Sequence, residues 1–586
     1  MPIEKIQLVE RPARPRKIRR DQSGCRSCRR RGKKCDEAKP ICRACIRLRL
    51  ECSYGISFAF RNYGKDSFAQ GRSTSRPSKT ILRHAPCPTP PIFTAIESGE
   101  NLETRYLDHF VSHVRHLLPA APSHLTNLQR TLQSPQLRSA ALCISASNLS
   151  MLNTGVQKRS LPCDSRRSVF SPLVDRFHHT HAWKHHEQAL SHCRGVTALD
   201  MELEAPSVLA ALTILAYYHH ASTDHRQFRL AVWDTVHFVN KYKESLMRSA
   251  DGNQALQMWY RLCVSHRLGK PPAMLLEGEG RSVYGPNLYP DSFEELYLHC
   301  VTGLSSDGLI YDILIKTIEI RSRIVVFRCV AGRYGLSDES REIGGVAHEL
   351  LMRYLGREHT EAEHAEAKEG YVRGQHLQGL LHVQRERLAV WKSHLSVSEG
   401  QSADSDSPMP TPFPAHRDAM NALYSLLCET IFDEAEADDT SASSLHARIQ
   451  EIIQALATLD ITACITSDVY TFSLTEVLLQ LVQIYKLSSL FTYILDAFWP
   501  LLETKGRGYE HSHYPTHLVK RIIGLIAWYW ERGREIKLVL PAVREDMPKM
   551  KLLDVNSEIG VVVCGWNRQG ERDKGESWFV ERVALP

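Results

Sequence analysis

The chain has 586 residues, of which 43% are hydrophobic, and a formal net charge of +7 at pH 7. This length and apolar fraction exclude a wholly disordered chain and allow a small module beside a large domain with a sizeable core. The opening sequence MPIEKIQLVERPARPRK has no apolar segment, which argues against a secretory signal peptide.

The excess positive charge is concentrated at the N-terminus. Residues 1–52 contain 17 Lys and Arg against 6 Asp and Glu, a net charge of +11, so the rest of the chain is slightly acidic. Within this region, residues 11–20 carry six basic residues and two prolines, which disfavour a helix. We expect residues 1–24 to form a basic arm that acts as a nuclear-localisation signal, contacts a DNA backbone, or both; a charged tail without either role is the alternative.

Residues 25–52 (CRSCRRRGKKCDEAKPICRACIRLRLEC) contain six cysteines in two C-x2-C-x6-C groups, the second shifted by 17 residues from the first. These cysteines are Cys25, Cys28, Cys35, Cys42, Cys45 and Cys52. Thiolates at this spacing can bind one soft metal ion, for which zinc is the first choice. Six sulfurs could serve one zinc ion, or two zinc ions if two sulfurs bridge them. The repeat favours the second arrangement.

This segment resembles the fungal Zn2Cys6 binuclear cluster, a DNA-binding module of transcription factors. The resemblance implies two Zn²⁺ ions held by all six cysteines, with Cys25 and Cys42 as the bridging pair. Pro40 matches the family's loop proline, and Asp36 matches the acidic residue that follows its third cysteine. One position departs from the pattern, because Gly32 stands where the family usually has a basic base-reading side chain. The usual preference for CGG therefore depends on the neighbouring basic residues.

The resemblance also implies that a short helix docks in the major groove of double-stranded DNA. The candidate DNA-contacting residues are Arg26, Arg29, Arg30, Arg31, Lys33, Lys34, Arg43 and Arg47. Those between Cys28 and Cys35 are expected to contact base edges and phosphates, since Arg and Lys recognise guanine O6 and N7. The arm and the second half of the module are expected mainly to hold phosphates.

Two other interpretations of the cysteines are a structural zinc module that binds protein and a disulfide framework. Disulfide frameworks belong to secreted proteins, whereas the ten remaining cysteines are scattered in the manner of reduced intracellular thiols.

Behind the cluster, residues 55–100 are polar and rich in proline, without a heptad pattern, and are predicted to be a flexible linker. From residue 101 the pattern is helical. Leu102, Tyr106, Phe110, Val114 and Leu117 form an amphipathic stripe, and Ser134-Pro135 is a helix-start signal. The style and order of the helices over residues 101–540 resemble the fungal-specific transcription factor domain.

Three later segments interrupt or complete this helical region. Residues 398–416 form a low-complexity loop. The acidic run 433–439 follows Leu426, Leu427, Ile431 and Phe432, which suggests a coactivator-binding segment or, more simply, a solvated loop. Residues 472–502 are predicted to be core helices rather than a membrane span, because charged residues interrupt them. Residues 541–586 are a tail whose structure the pattern does not define.

Other constellations are weaker. His178, His179, His181, His185 and His186 lie close in sequence, and His181 and His185 are one helical turn apart. No carboxylate completes a metalloprotease pattern, so surface or polar-core histidines are the favoured interpretation. Phosphate-binding and nucleophile motifs are absent from the sequence, and an enzyme is not expected.

The predicted fold class is mainly α: a small binuclear zinc cluster module (25–54), a linker and a large all-helical regulatory domain. The predicted function is a nuclear, zinc-dependent, sequence-specific regulator of RNA polymerase II genes that recognises a CGG-like triplet. Its expected partners are double-stranded DNA, the transcription machinery and a second copy bound through the helical domain, with no membrane. The alternative is a zinc-stabilised scaffold protein whose helical domain is the functional part.

Overall fold

The computed structural model describes most of the predicted helical region and a part of the cysteine-rich segment. The described residues are 27–28, 35–36, 42–48, 101–119, 133–152, 155–161, 164–173, 175–197, 199–221, 225–267, 293–337, 339–340, 342–354, 374–399, 416–436, 442–505, 516–541, 560–568 and 577–585. The chain divides into two compact units, Met1–Ala95 and Ile96–Pro586. The predicted basic arm (1–24), the predicted linker (55–100) and most of the 398–416 loop lie outside the described residues.

The first unit contains one described helix, α1 (Arg43–Arg47). The second unit begins with α2 (Leu102–His109), which continues through a π-helical turn (Phe110–Val114) into a last α-helical turn (Arg115–Leu117). The following helices are α3 (Pro135–Leu152), α4 (Arg176–Gly195), α5 (Met201–Ala221), α6 (His225–Arg248), α7 (Ala250–Arg267) and α8 (Phe293–Thr302).

The second half of this unit is also helical. Its helices are α9 (Ser306–Tyr334), α10 (Ile343–Tyr354), α11 (Gly374–Glu399), α12 (His416–Glu436), α13 (Ala442–Thr458), α14 (Ile461–Ser467), α15 (Leu474–Ile484), α16 (Ser488–Thr492), α17 (Trp499–Lys505) and α18 (Thr516–Glu531), with a π-helical segment (Tyr493–Phe498) between α16 and α17. The mainly α fold class is confirmed. Among the described residues, no helix combines the length and the apolar character that a membrane span needs.

The predicted stripe of residues 102–117 is buried in its middle, whereas Leu102 and Leu117 at its ends are half-buried and Leu118 is buried instead. Tyr106, Phe110 and Val114 of the first stripe are fully buried, and helix α3 begins at Pro135. The carbonyl of Ser134 accepts the N–H of Arg138 at 2.9 Å, so its backbone occupies the N-cap position. The segment 472–502 is helical as predicted; α15 is largely buried, whereas α16, α17 and the π-helical segment between them are partly exposed.

Helix α9 is the central element of the second unit. It is 29 residues long and buries residues on all of its faces. It packs against α7, α10, α11 and α12 and against one sheet. The hydroxyl of Ser305 accepts the N–H of Gly308 at 3.2 Å to start the helix. Gly335 ends it in the left-handed conformation at φ 64°, which favours glycine.

The described part of the second unit also contains five strands, so the prediction of an all-helical domain is wrong. β1 (Gly155–Leu161) and β2 (Asp164–Leu173) form an antiparallel hairpin. β3 (Arg534–Pro541), β4 (Gly560–Asn567) and β5 (Trp578–Ala584) form an antiparallel sheet in the order β3-β4-β5. The boundary expected at residue 540 therefore falls within β3, and the tail contributes two strands.

This sheet lies against α9 at a close approach. A Cβ added to Gly332 would come within 2.0 Å of Cδ1 of Trp578, so a side chain at this position would displace the indole. The thiol of Cys329, one turn earlier, donates to the carbonyl of Gly565 on β4 at 3.9 Å. These contacts make the C-terminal strands part of the helical unit.

Candidate metal centre and nucleic-acid interface

Three of the six clustered cysteines come together in the described part of the first unit. The sulfur atoms of Cys28, Cys35 and Cys42 all lie within 4.8 Å of one another. The side chains of Cys28 and Cys42 are buried, and their sulfur atoms are 3.7 Å apart. Cysteines that are 7 to 14 residues apart in the sequence are therefore brought together in the structure as one group of thiols.

The sulfur spacing fits tetrahedral zinc and does not fit a disulfide. With Zn–S bonds of about 2.3 Å, two sulfurs of one tetrahedron are about 3.8 Å apart. A disulfide needs about 2.05 Å between its sulfurs. The 3.7 Å between Cys28 and Cys42 matches the zinc value, and the four described cysteines of this unit are thiols rather than halves of a disulfide.

Helix α1 is built onto this group through Cys42, which occupies its N-cap. The sulfur of Cys42 accepts the backbone N–H of Cys45 at 3.4 Å. A carboxylate oxygen of Asp36 accepts the backbone N–H of Arg43 at 3.1 Å. The amides of the first turn thus point to a sulfur and to a carboxylate, which satisfies donors that a helix start leaves open. The N–H of Cys45 stabilises a thiolate at Cys42, because it donates to that sulfur.

The outer face of α1 is basic. The side chains of Arg43 and Arg47 are exposed, and their spacing of four residues puts them on the same face of the helix. Cys45 lies between them in sequence but is 1% exposed. The helix therefore has one side directed to the sulfur group and another that can contact an anionic partner.

The remaining predicted site residues are outside the described part of the chain. These residues are Cys25, Cys52, Arg26, Arg29, Arg30, Arg31, Lys33 and Lys34. Their predicted roles remain predictions.

Three of the five histidines in the group on helix α4 are held by contacts within the helical unit, whereas His179 is exposed and His181 is half-buried. Nδ1 of His178 lies 2.9 Å from the hydroxyl of Tyr106, and Nδ1 of His185 lies 2.9 Å from Oε1 of Gln188. Nε2 of His186 is 3.0 Å from Nε2 of His219. Burial is the largest influence on these imidazoles and lowers the pKa of His178, His185 and His186. These contacts place the three side chains in a polar core.

Glu434, one residue of the acidic run 433–439, is tied into the core together with the apolar residues that precede it. In α12, Leu427, Ile431 and Phe432 are at most 3% exposed. Glu434 accepts hydrogen bonds from Arg321 of α9, including one of 3.2 Å from Nη2, and lies 3.3 Å from Nζ of Lys537. The core therefore covers these three apolar residues, whereas Leu426 is half-buried and residues 437–439 of the acidic run lie outside the described part of the chain.

Comparison with known proteins identifies the cysteine-rich segment. Residues 23–59 match the family described as the fungal Zn(2)-Cys(6) binuclear cluster domain, and all six clustered cysteines fall within the match. The thiol geometry fits this family's metal, so the expectation of two zinc ions is confirmed. No solved structure matches the chain.

Two fungal relatives are similar to the same region. Sterol uptake control protein 2 of Saccharomyces cerevisiae is 51% identical over 35 residues, which are 6% of this chain and 4% of the relative. Transcription activator AMTR1 of Alternaria alternata is 40% identical over 57 residues, which are 9% of this chain and 7% of the relative. The chain thus matches less than a tenth of either relative's length.

Proposed function

We propose that the chain is a zinc-dependent, sequence-specific DNA-binding regulator of RNA polymerase II genes that acts in the nucleus. The observation that carries the proposal is the convergence of Cys28, Cys35 and Cys42, whose sulfur atoms lie within 4.8 Å of one another, within a matched binuclear cluster domain. The name of AMTR1 as a transcription activator and the +11 charge of residues 1–52 support the same role.

In this proposal, the zinc ions are divided between the two halves of the repeat. Cys28, Cys35 and Cys42 converge, so together with Cys25 they complete four sulfur ligands for one zinc ion. The second zinc ion is bound by Cys45 and Cys52 and by the two bridging residues, Cys25 and Cys42. Six thiolates and two Zn²⁺ ions sum to −2, which the surrounding Arg and Lys residues offset. The metals replace a hydrophobic core that so short a segment cannot form.

Specificity is assigned to the basic residues between Cys28 and Cys35. Arg31 and Lys33 flank Gly32, the position where the family's base reader usually stands. A long basic side chain can donate to guanine O6 and N7 in the major groove, so a triplet of the CGG kind is the proposed target. Arg26, Arg29, Arg30 and Lys34 are proposed to share base and phosphate contacts.

Lys33→Ala and Arg31→Ala are expected to relax base preference, because each removes a donor that can reach a base edge. The affinity for the preferred triplet should fall by about 1–3 kcal/mol, while the affinity for scrambled DNA changes much less. Competition binding against single-base variants of the triplet measures this difference. A uniform loss on all sequences would remove these residues from the base-reading role.

Arg47→Ala is expected to weaken binding equally on all sequences. Arg47 is exposed on α1 beside the sulfur group, and a phosphate contact carries no sequence information. If one phosphate contact is lost, the slope of the logarithm of the DNA-binding constant against the logarithm of the salt concentration should become shallower by about 0.9. Affinity measurements at salt concentrations between about 50 and 200 mM, with Arg248→Ala in the other unit as the control, test this expectation.

The helical unit is proposed to regulate the DNA-binding module. Residues 101–540 are assigned to a fungal-specific transcription factor domain, which supplies a dimer contact and a surface for the transcription machinery. The buried core and the central α9 support a folded platform for such contacts.

The direct test compares two duplexes that differ only in the triplet. The full-length protein with zinc should bind the CGG duplex more tightly than the scrambled duplex, and a chelator should abolish the difference. Equal affinity for both duplexes would favour the scaffold interpretation, in which the cluster is structural.

A further inference from the structure

A second group of metal-type ligands lies within the helical unit, far along the chain from the cysteine cluster. His416 is the first residue of α12, Cys464 lies in α14, and Asp468 follows the end of α14. One ligand atom from each side chain lies within 4.8 Å of the others. Nε2 of His416 is 2.8 Å from Oδ1 of Asp468.

The group is buried and only partly satisfied by hydrogen bonds. Cys464 and Asp468 are each 2% exposed, and His416 is largely covered. The second carboxylate oxygen of Asp468 and Nδ1 of His416 are buried and have no hydrogen-bond partner among the described residues. A simple ion pair leaves both of these atoms without a role, although buried polar groups nearly always have partners.

The local structure holds the three side chains in place without a metal. Oδ1 of Asp460 accepts the N–H of Thr462 at 2.8 Å and starts α14, and the N–H of Cys464 donates to the carbonyl of Asp460 at 3.0 Å. Tyr424 of α12 donates to the carbonyl of Phe472, four residues beyond Asp468. The two chain segments that supply the ligands are therefore fixed to each other by other contacts.

We propose that His416, Cys464 and Asp468 form a third metal site that binds one Zn²⁺ ion. Imidazole nitrogen, thiolate sulfur and carboxylate oxygen are the ligands that zinc takes in proteins, and a thiol argues against Ca²⁺ and Mg²⁺. Zinc bonds of about 2.0–2.3 Å put neighbouring ligand atoms about 3.3–3.5 Å apart. The three ligand atoms lie within 4.8 Å of one another, and Nε2 of His416 and Oδ1 of Asp468, which are 2.8 Å apart, would separate by about 0.5 Å to bind one ion.

Three protein ligands leave one coordination position for water or for another side chain. The bound ion would connect the start of α12 to α14. His416 and Cys464, which supply two of its ligands, are 48 residues apart in the sequence. The site is independent of the DNA-binding proposal, because it uses none of the residues of the cysteine cluster.

Metal counting on the full-length, untagged protein tests the site. After zinc loading and dialysis, elemental analysis should give three zinc ions per chain for the wild type and two for Cys464→Ala. Cys428→Ala is the matched control, since it removes another buried thiol from α12, the helix that begins at His416, and it should keep three. Equal zinc content in the wild type and in Cys464→Ala would overturn the proposal.

His416→Asn covers the case in which Cys464→Ala does not fold. Asparagine can still donate a hydrogen bond to Asp468 but is a poor zinc ligand, so this variant should remain folded and lose one zinc ion. A folded His416→Asn protein that keeps the wild-type zinc content would assign His416 and Asp468 to an ordinary ion pair.

Cobalt gives an independent readout of the thiolate. With Co²⁺ in place of zinc, the absorption from sulfur-to-cobalt charge transfer should be weaker in Cys464→Ala than in the wild type and unchanged in Cys428→Ala. Identical spectra for all three proteins would place every bound metal ion in the cysteine cluster and contradict the third site.

Discussion

Cys28→Ala is expected to abolish sequence-specific DNA binding by the full-length protein. Cys28 is 1% exposed, and its sulfur is 3.7 Å from that of Cys42. Without this thiolate, one zinc ion lacks its fourth sulfur ligand, and metal binding and folding of so small a module are a single event. The affinity should fall by about 1,000-fold or more, to the level of non-specific binding.

Zinc content and binding to the CGG duplex measure this effect together. The variant should lose the two zinc ions of the N-terminal module. Cys143→Ala, which removes a fully buried free thiol of α3 in the helical unit, should keep both zinc ions and the affinity for DNA. A Cys28→Ala protein that still discriminates the triplet would show that the cysteine group does not organise the DNA-binding surface.

Arg321→Leu is expected to cause a large loss of stability in the helical unit. The guanidinium is 3% exposed, pairs with Glu434 and also donates to the carbonyls of Gln483 and Lys537 at 3.0 and 3.2 Å. Its removal leaves a largely buried carboxylate with Lys537 as its remaining ion-pair partner, and the carbonyl of Lys537 loses this donor, whereas the carbonyl of Gln483 keeps the ammonium of Lys486. Breaking a buried pair in this way costs about 3–5 kcal/mol.

Thermal unfolding followed by circular dichroism measures the change. For a unit of this size, an unfolding entropy of about 2.1 cal/mol/K per residue converts that loss into a midpoint lower by about 3–5 °C. Arg248→Leu removes an exposed i,i+4 pair with Glu244 and should cost less than about 0.5 kcal/mol. Equal midpoints for the two variants would mean that the Arg321 pair does not stabilise the fold.

The ion pair of Arg321 and Glu434 should make the stability of the helical unit depend on pH in the acid range. Burial raises the pKa of Glu434, but the charges of Arg321 and Lys537 outweigh burial and lower it from 4.5 to about 2. The ionised form is therefore favoured by folding, and its contribution of about 3 kcal/mol is fully present above pH 4.5. This contribution should be lost as the pH falls from 4.5 towards 2, and Arg321→Leu should reduce that pH dependence.

The metal centre could be identified from sequence because its ligands repeat at short spacings. The C-x2-C pair and its copy 17 residues later indicate zinc chemistry from residue type and spacing alone. The group of His416, Cys464 and Asp468 has no such signature, since tertiary packing brings together residues from separate helices. No local pattern distinguishes these side chains from other histidines, cysteines and aspartates of the chain.

Apolar periodicity in the sequence predicted the helices, but it did not predict the strands. The stripe of Tyr106, Phe110 and Val114 recurs at helical spacing and is fully buried. Strand β4 is buried along Gly560–Cys564, so its sequence GVVVC lacks the alternation that marks a half-exposed strand. Its partners β3 and β5 lie on either side of it in the sheet, and only that pairing distinguishes it from a short apolar helix.

The acidic run 433–439 shows that the charge pattern of a segment also fails to predict which of its residues are buried. Composition alone suggested a solvated loop or an activation segment, because charged residues are rarely buried without partners. Arg321 and Lys537, which supply those partners to Glu434, lie 113 and 103 residues away in the sequence. Burial of a charged residue therefore depends on contacts that the local sequence does not contain.

A binding selection against random duplex DNA tests the central proposal most directly. The full-length protein would be presented with the library at near-physiological salt, with zinc and in parallel with a chelator. Enrichment of a CGG-like or other G-containing triplet with zinc, and its disappearance with the chelator, is the predicted result. Binding that falls with salt but enriches no sequence would contradict sequence-specific recognition by the zinc cluster.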